Sequence, residues 1–162
     1  MLKISVFSGF LLLAPLVASG QNFDTTVSMQ DGGAATYYVS GEIEGFGPLD
    51  LMVDTGSGYM TINEEMLAVL QREGRAHYVK DLSGILANGA RMVVPVYAIS
   101  AVNIGGQCWL RDVEAAVFPG KTRSILGLSA LSKAAPFIFS MDPPQLVLSN
   151  CSGVTKATAT AG

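Results

Sequence analysis

The sequence predicts an all-β domain, a small closed or semi-closed β-barrel that carries two short helices. Along most of the chain, apolar residues recur at a period of two more often than at the helical period of about 3.6 residues. Short apolar runs alternate with turn residues, among them 18 glycines and 7 prolines. Of the 162 residues, 49% are hydrophobic and 14% are charged, which is enough for one core and excludes disorder over most of the chain.

Composition also excludes several classes of function. Ten basic residues against 13 acidic residues give a net charge of −3, and the chain lacks the basic run that nucleic-acid binding requires. His77 is the single histidine, and with two distant cysteines it cannot form a zinc site. We therefore expect no nucleic-acid partner, no metal and no cofactor, and we expect His77 to lie on the surface of a strand.

Residues 1–20 are predicted to be a secretory signal peptide. Lys3 precedes an apolar run of 14 residues (4–17), and small residues occupy positions 18–20 before Gln21. A membrane span needs about 20 apolar residues, so this run fits a signal that is cut before Gln21 better than a transmembrane helix. The protein is thus predicted to be secreted or periplasmic, with an uncleaved N-terminal membrane anchor as the alternative.

The domain is predicted to cover residues 21–151, followed by a frayed tail over residues 152–162. Cys108 and Cys151 would share an oxidising compartment, where two cysteines most simply form a disulfide. Within one chain, the bridge would close a loop of about 43 residues, which the chain-entropy model equates with roughly 4 kcal/mol of stability. Two buried free thiols are the alternative.

Strands and one helix are predicted in order through the first half of the chain. Tyr37–Ile43 is the first clear strand, and Leu49–Val53 is the second, set between turn-forming glycines. A third strand, Tyr59–Ile62, follows a tight turn. Asn63 can cap a helix over Glu64–Glu73, because its side chain can accept from an N-terminal N–H and two glutamates complement the helix dipole.

The second half is predicted to hold further strands and one short helix. Pro95 indicates an edge or a bulge in its strand, and Gly105-Gly106 is a good turn between two strands. The predicted elements, in order, are strands Arg91–Ile99, Ala98–Ile104 and Cys108–Phe118, helix Leu128–Ala134, and a final hairpin of Phe137–Met141 and Gln145–Leu148 around Asp142-Pro143-Pro144.

One tight turn, Asp54-Thr55-Gly56-Ser57, is the candidate for chemistry. A carboxylate at the end of a buried strand, between apolar walls, is well placed for general acid–base catalysis. Gly56 lets the backbone approach closely, so that its N–H can donate to the carboxylate of Asp54. Ser57 can hydrogen-bond an outer oxygen, and Thr55 keeps a hydroxyl for a neighbour. An ordinary turn between two strands is the alternative, because all four residue types are common in turns.

From about Tyr37 to Leu148, the sequence resembles the retropepsin-like aspartic proteases, single-domain relatives of pepsin that include retroviral enzymes and many bacterial proteins. The turn that begins at Asp54 matches the family's catalytic D-T-G-[SA] motif in its pepsin-like form. Two further motifs follow in the family's order. The flap tip corresponds to Leu86, Ala87, Asn88 and Gly89, and the element that crosses behind the active site corresponds to Ile125, Leu126 and Gly127. Taken alone, these would be an ordinary hairpin turn and a buried strand.

The resemblance implies an aspartic endopeptidase that acts as a homodimer. In this chemistry, one carboxylate accepts a proton from the attacking water, and a second one, protonated, stabilises the developing oxyanion. The chain has a single D-T-G, so the second carboxylate must be Asp54 of another copy, related by a two-fold axis. The resemblance also implies that a segment near Phe23–Met29 interleaves with Gln145–Leu148 at the interface. A bridge from Cys151 to the partner's Cys108 is then an alternative to an internal bridge.

A peptide or protein substrate is expected to bind as an added strand beneath the flap. Apolar residues near the turn predict pockets for apolar side chains: Met52, Ile85, Leu86 and Ile125. The alternative function is a non-catalytic periplasmic β-barrel that binds a peptide or assembles a complex on the same fold. The D-T-G-S turn favours the enzyme, because a binding module needs no carboxylate there.

Overall fold

The computed structural model describes residues 23–85 and 91–151, and of Ile85 it describes the backbone alone. The predicted signal peptide, the predicted flap tip Leu86–Gly89 and the predicted tail lie outside the described residues. No helix within the described part of the chain is long and apolar enough to span a membrane. The elements are β1 Thr25–Ser28, β2 Gln30–Asp31, β3 Tyr37–Ile43, β4 Gly47–Val53, β5 Met60–Asn63, α1 Glu64–Arg72, β6 Ala76–Ile85, β7 Arg91–Ile104, β8 Cys108–Phe118, β9 Ile125–Leu126, α2 Leu128–Leu131, a 3₁₀ turn Ser132–Ala134, β10 Phe137–Met141 and β11 Pro144–Leu148.

Six of these strands close into a barrel in the order β3, β4, β9, β5, β8 and β7. The ring closes where Gly41–Ile43 of β3 pairs antiparallel with Val102–Ile104 of β7. Strands β2 and β6 extend the sheet beyond the ring. The barrel predicted from the sequence is therefore confirmed.

The side chains that alternate along the strands between buried and exposed positions form the barrel's core. Side chains at every second position point inward, as the period of two requires. Each fully buried aliphatic side chain contributes roughly 1.5–3 kcal/mol relative to an exposed one. The largest fully buried side chains include Ile43, Leu51, Met60, Ile62, Ile99, Ile104 and Leu126.

The helix after β5 forms as the sequence predicts. The side chain of Asn63 accepts a hydrogen bond from the Met66 N–H at 2.9 Å, which caps the first turn of α1. Met66 and Leu70 are buried on one face, and Leu67 packs against the same core cluster. The apolar face of α1 therefore packs against the barrel core.

The predicted strands Arg91–Ile99 and Ala98–Ile104 form one continuous strand of 14 residues, β7. Pro95 pairs with Asp81 of β6, whereas the pairing of β7 with β8 begins only at Val96. The missing N–H of proline therefore interrupts no hydrogen bond between β7 and β8, which explains how a proline fits this long strand. His77 lies exposed on β6, as predicted.

A second, three-stranded sheet has the order β1, β11, β10. Leu148 of β11 pairs with Thr25 on one side and with Phe137 on the other, so both edges of β11 are occupied within its own chain. The expectation that Gln145–Leu148 interleaves with a second subunit is therefore wrong. A strand whose main-chain groups already pair on both sides has no free edge for a partner.

Cys108 and Cys151 form a disulfide within the chain, across a sequence separation of 43. Cys108 begins β8 of the barrel, and Cys151 follows β11 of the second sheet. The bridge therefore ties the two sheets together. Of the pairings that the sequence left open, the internal bridge is the one observed.

We expect the double variant Cys108→Ser/Cys151→Ser to be less stable than the wild type by roughly 4 kcal/mol, because the unfolded chain regains the entropy of the open loop. Denaturant unfolding with and without a reductant measures this difference. The reductant should lower wild-type stability and leave the double variant unchanged. On a non-reducing gel, the wild type should run as a monomer without thiol labelling, and a covalent dimer would contradict the internal bridge.

Candidate active site

The turn that carries Asp54 is held by a short strand inserted between its two arms. Strand β4 leads into the turn and β5 leads out. Between them, β9 pairs in parallel with β4 and antiparallel with β5, so that Ile125 lies beside both Met52 and Thr61. The third sequence motif therefore lies directly behind the first, although Ile125 follows Asp54 by 71 positions in the sequence.

Hydrogen bonds fix the Asp54 side chain from within the turn. The Gly56 N–H donates to Asp54 Oδ1 at 2.9 Å, as the sequence predicts. The Asp54 N–H donates to the Leu126 carbonyl at 3.2 Å, and the Ser57 N–H donates to the Asp54 carbonyl at 3.2 Å. Asp54 is half-buried, and its Oδ2 has no hydrogen-bond partner among the described residues. One carboxylate oxygen is thus held, and the other accepts no hydrogen bond from the described residues.

The hydroxyl of Ser57 differs from its predicted role. It donates to the Tyr59 carbonyl at 2.8 Å instead of reaching the carboxylate of Asp54. Serine hydroxyls commonly bond a main-chain group close by in sequence, and this bond tightens the turn. Thr55 is exposed, and within the described residues its hydroxyl makes no hydrogen bond.

Gly127 lets a second piece of backbone approach this turn closely. A methyl group at Gly127 would collide with the Tyr59 carbonyl group and would lie 2.9 Å from the Ser57 carbonyl oxygen. Because glycine lacks that methyl, the Leu128 N–H reaches the Ser57 carbonyl at 2.8 Å. The backbone at the start of α2 therefore lies against the turn and holds it through this hydrogen bond.

Ser129 is a structural residue of the site that sequence analysis missed. Its hydroxyl accepts from the Met60 N–H at 2.7 Å and donates to the Glu114 carbonyl at 2.6 Å. The hydroxyl thereby joins α2 to both β5 and β8. Serine in a short helix carries no sequence signal for such a link, since its partners lie far away along the chain.

An apolar cavity of about 320 Å³ opens beside the turn. Leu82 reaches it from β6, the strand that leads toward the predicted flap tip. The volume suits one large side chain of a bound peptide. Its lining includes Ser57, Tyr59, Thr61, Leu82, Phe118 and Ile125.

Of the four apolar residues that were predicted to form pockets near the turn, one lines this cavity. Ile125 lines the cavity. Met52 does not line the cavity. Its sulfur lies 3.6 Å from the guanidinium of Arg123. Leu86 lies outside the described residues, as does the side chain of Ile85.

A polar cluster lies on the other side of Tyr59. Lys80 Nζ is 3.0 Å from Glu114 Oε2 and 5.4 Å from the centre of the Tyr59 ring. The hydrogen bond to Glu114 raises the pKa of Lys80. A second cavity of about 390 Å³, with Asp112, Glu114 and Lys133 in its wall, adjoins this cluster. Tyr59 therefore separates an apolar cavity from a charged one.

Comparison with known proteins agrees with this geometry. The sequence matches the family described as "gag-polyprotein putative aspartyl protease" over residues 39–133, more than half of the chain, and the chain belongs to this family. Its fold is that of the retropepsin-like aspartic proteases. A crystal structure of a retropepsin-like aspartic protease from Rickettsia conorii is similar at a TM-score of 0.56 and 19% identity, covering 80% of this chain and 92% of that chain. No curated protein matches the sequence.

The matched region contains the site but stops short of the second sheet. Residues 39–133 include both the Asp54 turn and Ile125–Gly127. They exclude β1, β10 and β11, which form the three-stranded sheet. Family membership therefore supports aspartic protease activity in general and leaves the arrangement of that sheet to this chain's own structure.

Proposed function

We propose that the protein is an aspartic endopeptidase in which Asp54 from each of two subunits holds one catalytic water. One observation carries the proposal: Asp54 is half-buried, with Oδ1 fixed by the Gly56 N–H and with no hydrogen bond to Oδ2 from the described residues. The same bond from Gly33 N–H to Asp31 Oδ1, at 2.8 Å, forms an ordinary turn elsewhere in the chain. The Asp54 turn differs in that β9 pairs with the strands on both sides of it. Membership of an aspartic protease family supports the same activity.

The second carboxylate has to come from a second copy. The D-T-G sequence occurs once in the chain, and water activation in this chemistry requires two carboxyl groups. A two-fold axis close to the turn would bring the same group from each subunit to one point. The exposed hydroxyl of Thr55 would then lie at the subunit boundary, free to bond across it.

The proposed reaction uses the two carboxyl groups in different protonation states. The ionised group accepts a proton from the water as the water oxygen attacks the scissile carbonyl carbon. The protonated group donates a hydrogen bond to the developing oxyanion, and a proton then passes to the leaving nitrogen. Two carboxylates about 3 Å apart cannot both ionise, so the pair retains one proton over the working range of pH.

We also propose that the enzyme works outside the cytoplasm, secreted or in a periplasm. The disulfide between Cys108 and Cys151 supports this, because such bridges persist mainly in oxidising compartments. The apolar N-terminal run supports export as well. N-terminal sequencing of the exported protein is expected to give Gln21 as the first residue.

The decisive assay is cleavage of a denatured protein by residues 21–162 across a series of pH values. We expect an optimum between roughly pH 4 and 6.5, because the rate falls when the pair loses its shared proton and again when it gains a second one. A rate that still rises at about pH 9 would contradict a proton-sharing pair. A folded dimer without cleavage at any pH would favour the non-catalytic binding module.

The apolar cavity predicts a preference for a large apolar side chain next to the scissile bond. Leu82→Asp places a carboxylate in the cavity wall and should lower kcat/KM for such peptides by about 10- to 100-fold, because a charge in an apolar pocket opposes apolar binding. Ser83→Asp is the control, since this neighbour is exposed and points to the other face of β6. Equal losses in both variants would contradict the assignment of the cavity.

A further inference from the structure

Arg123 lies on the same face of the barrel sheet as Asp54. On β4, Leu51 and Val53 are buried, so Met52 and then Asp54 point to the opposite, outer face. The guanidinium of Arg123 lies against this face, with Nη1 3.6 Å from the sulfur of Met52. Because Met52 precedes Asp54 by two residues, this contact lies about 7 Å along the strand from Asp54.

The guanidinium of Arg123 is held through one of its three nitrogens. Nη1 donates to the Tyr38 hydroxyl oxygen at 3.3 Å as well as to the sulfur of Met52. Nε and Nη2 carry three of the five N–H donors of an arginine, and they have no acceptor among the described residues. These two nitrogens form an edge that can bind both oxygens of one carboxylate side by side. The fixed side chain therefore presents a carboxylate-binding edge.

The positive charge of Arg123 has no counter-ion within the described part of the chain. Two ion pairs form there, and Arg123 belongs to neither of them. Asp50 is the acidic residue two positions before Met52 on the same face, and its carboxylate accepts a hydrogen bond from Ser40 at 3.3 Å. An anion from outside the chain can therefore bind Arg123 without displacing one of these carboxylates.

Arg123 and the apolar cavity lie on opposite sides of Ile125. Ile125 pairs with Met52 of β4 on one side and with Thr61 of β5 on the other. Arg123 contacts Met52, whereas Thr61 lines the cavity. An extended peptide laid across the turn places its side chains in separate pockets. The cavity and Arg123 would therefore receive different side chains of the same peptide.

We propose that Arg123 selects substrates that carry an aspartate or a glutamate within three residues of the scissile bond, with the carboxylate bound to Nε and Nη2. An extended peptide advances about 3.3 Å per residue, so the 7 Å or so between Met52 and Asp54 corresponds to two residues. The inference rests on the proposed function, which places the scissile bond at Asp54. The two-fold axis of that proposal puts one Arg123 on each side of the bond, so an acidic residue is favoured on either side.

The test moves one glutamate through the three positions on each side of the scissile bond in an otherwise uncharged peptide. At the best position, we expect kcat/KM to be about fivefold higher for glutamate than for glutamine, because a pair with an exposed arginine is modest in strength. Arg123→Gln should remove this preference, and Arg123→Glu should reverse it in favour of lysine at the same position. In about 1 M salt the wild-type preference should shrink, because salt screens exposed charges.

Arg111→Glu is the matched control for the change of charge. Arg111 is exposed on β8 and pairs with Ala101, four residues before the part of β8 that pairs with β5. The same reversal of charge there should leave the preference for glutamate unchanged. A preference that survives in Arg123→Gln, or that is lost equally in Arg111→Glu, would overturn the inference.

Peptide binding separates this inference from the proposed function. In the Asp54→Asn background, the glutamate peptide should bind about fivefold more tightly than the glutamine peptide in fluorescence anisotropy, and adding Arg123→Gln should make the two affinities equal. Cleavage with no preference for glutamate at any of the six positions would overturn the inference and leave the proposed function standing. Arg123-dependent binding by a protein that never cleaves would reject the proposed function alone, and the absence of both would reject both.

Discussion

Asp54→Asn is expected to abolish peptide cleavage while leaving the fold unchanged. An amide cannot accept the proton of the attacking water, and in the proposed symmetric dimer both carboxylates are lost at once. The amide oxygen can still accept the Gly56 N–H bond that now reaches Oδ1, so the turn should keep its shape. We expect kcat/KM to fall by at least about 1000-fold at the optimum pH, measured on a fluorogenic peptide.

Asp50→Asn is the matched control for this change. Asp50 lies on β4, the strand that leads into the Asp54 turn, is exposed, and accepts a hydrogen bond from Ser40 at 3.3 Å. The same loss of charge there should leave cleavage and the unfolding temperature near wild-type values. Activity of Asp54→Asn within about tenfold of the wild type would reject the catalytic assignment.

Gly127→Ala is expected to cause the largest loss of stability among conservative changes near the site. The added methyl would collide with main-chain atoms of Ser57 and Tyr59, which cannot rotate away as a side chain could. Overpacking of this kind costs about 3 kcal/mol, and relief of the clash would push α2 away from the Asp54 turn. We expect a lower midpoint of denaturant unfolding and a parallel loss of cleavage.

Gly58→Ala tests whether the loss is specific to the clash. A methyl group at Gly58 would meet nothing within 4 Å, although Gly58 lies in the same turn region. Its stability should therefore stay within about 1 kcal/mol of the wild type. If both alanine variants lost the same stability, close contact at Gly127 would not be the reason for glycine there.

The local parts of this protein were the parts that the sequence could predict. The Asn63 cap, the buried face of α1 and the hydrogen bond from the Gly56 N–H to Asp54 all depend on groups within a few residues of one another. Such contacts follow from residue type and spacing alone. Ser57 is an exception among the local predictions, because its hydroxyl had two possible local partners and in the folded turn it bonds the Tyr59 carbonyl.

The sequence by itself determined the class of fold, the turn at Asp54 and the family. Both the period-two pattern of apolar residues and the short motifs depend only on residues that are neighbours in the sequence. Only the tertiary structure decided that β9 lies between β4 and β5, that Ser129 joins three elements, and that β11 has both edges filled by its own chain. Most of these contacts join residues far apart in the sequence: Met52 and Ile125 are 73 positions apart, and Thr25 and Leu148 are 123 positions apart. Many distant partners would satisfy the same main-chain donors and acceptors, and only packing of the whole chain selects one of them.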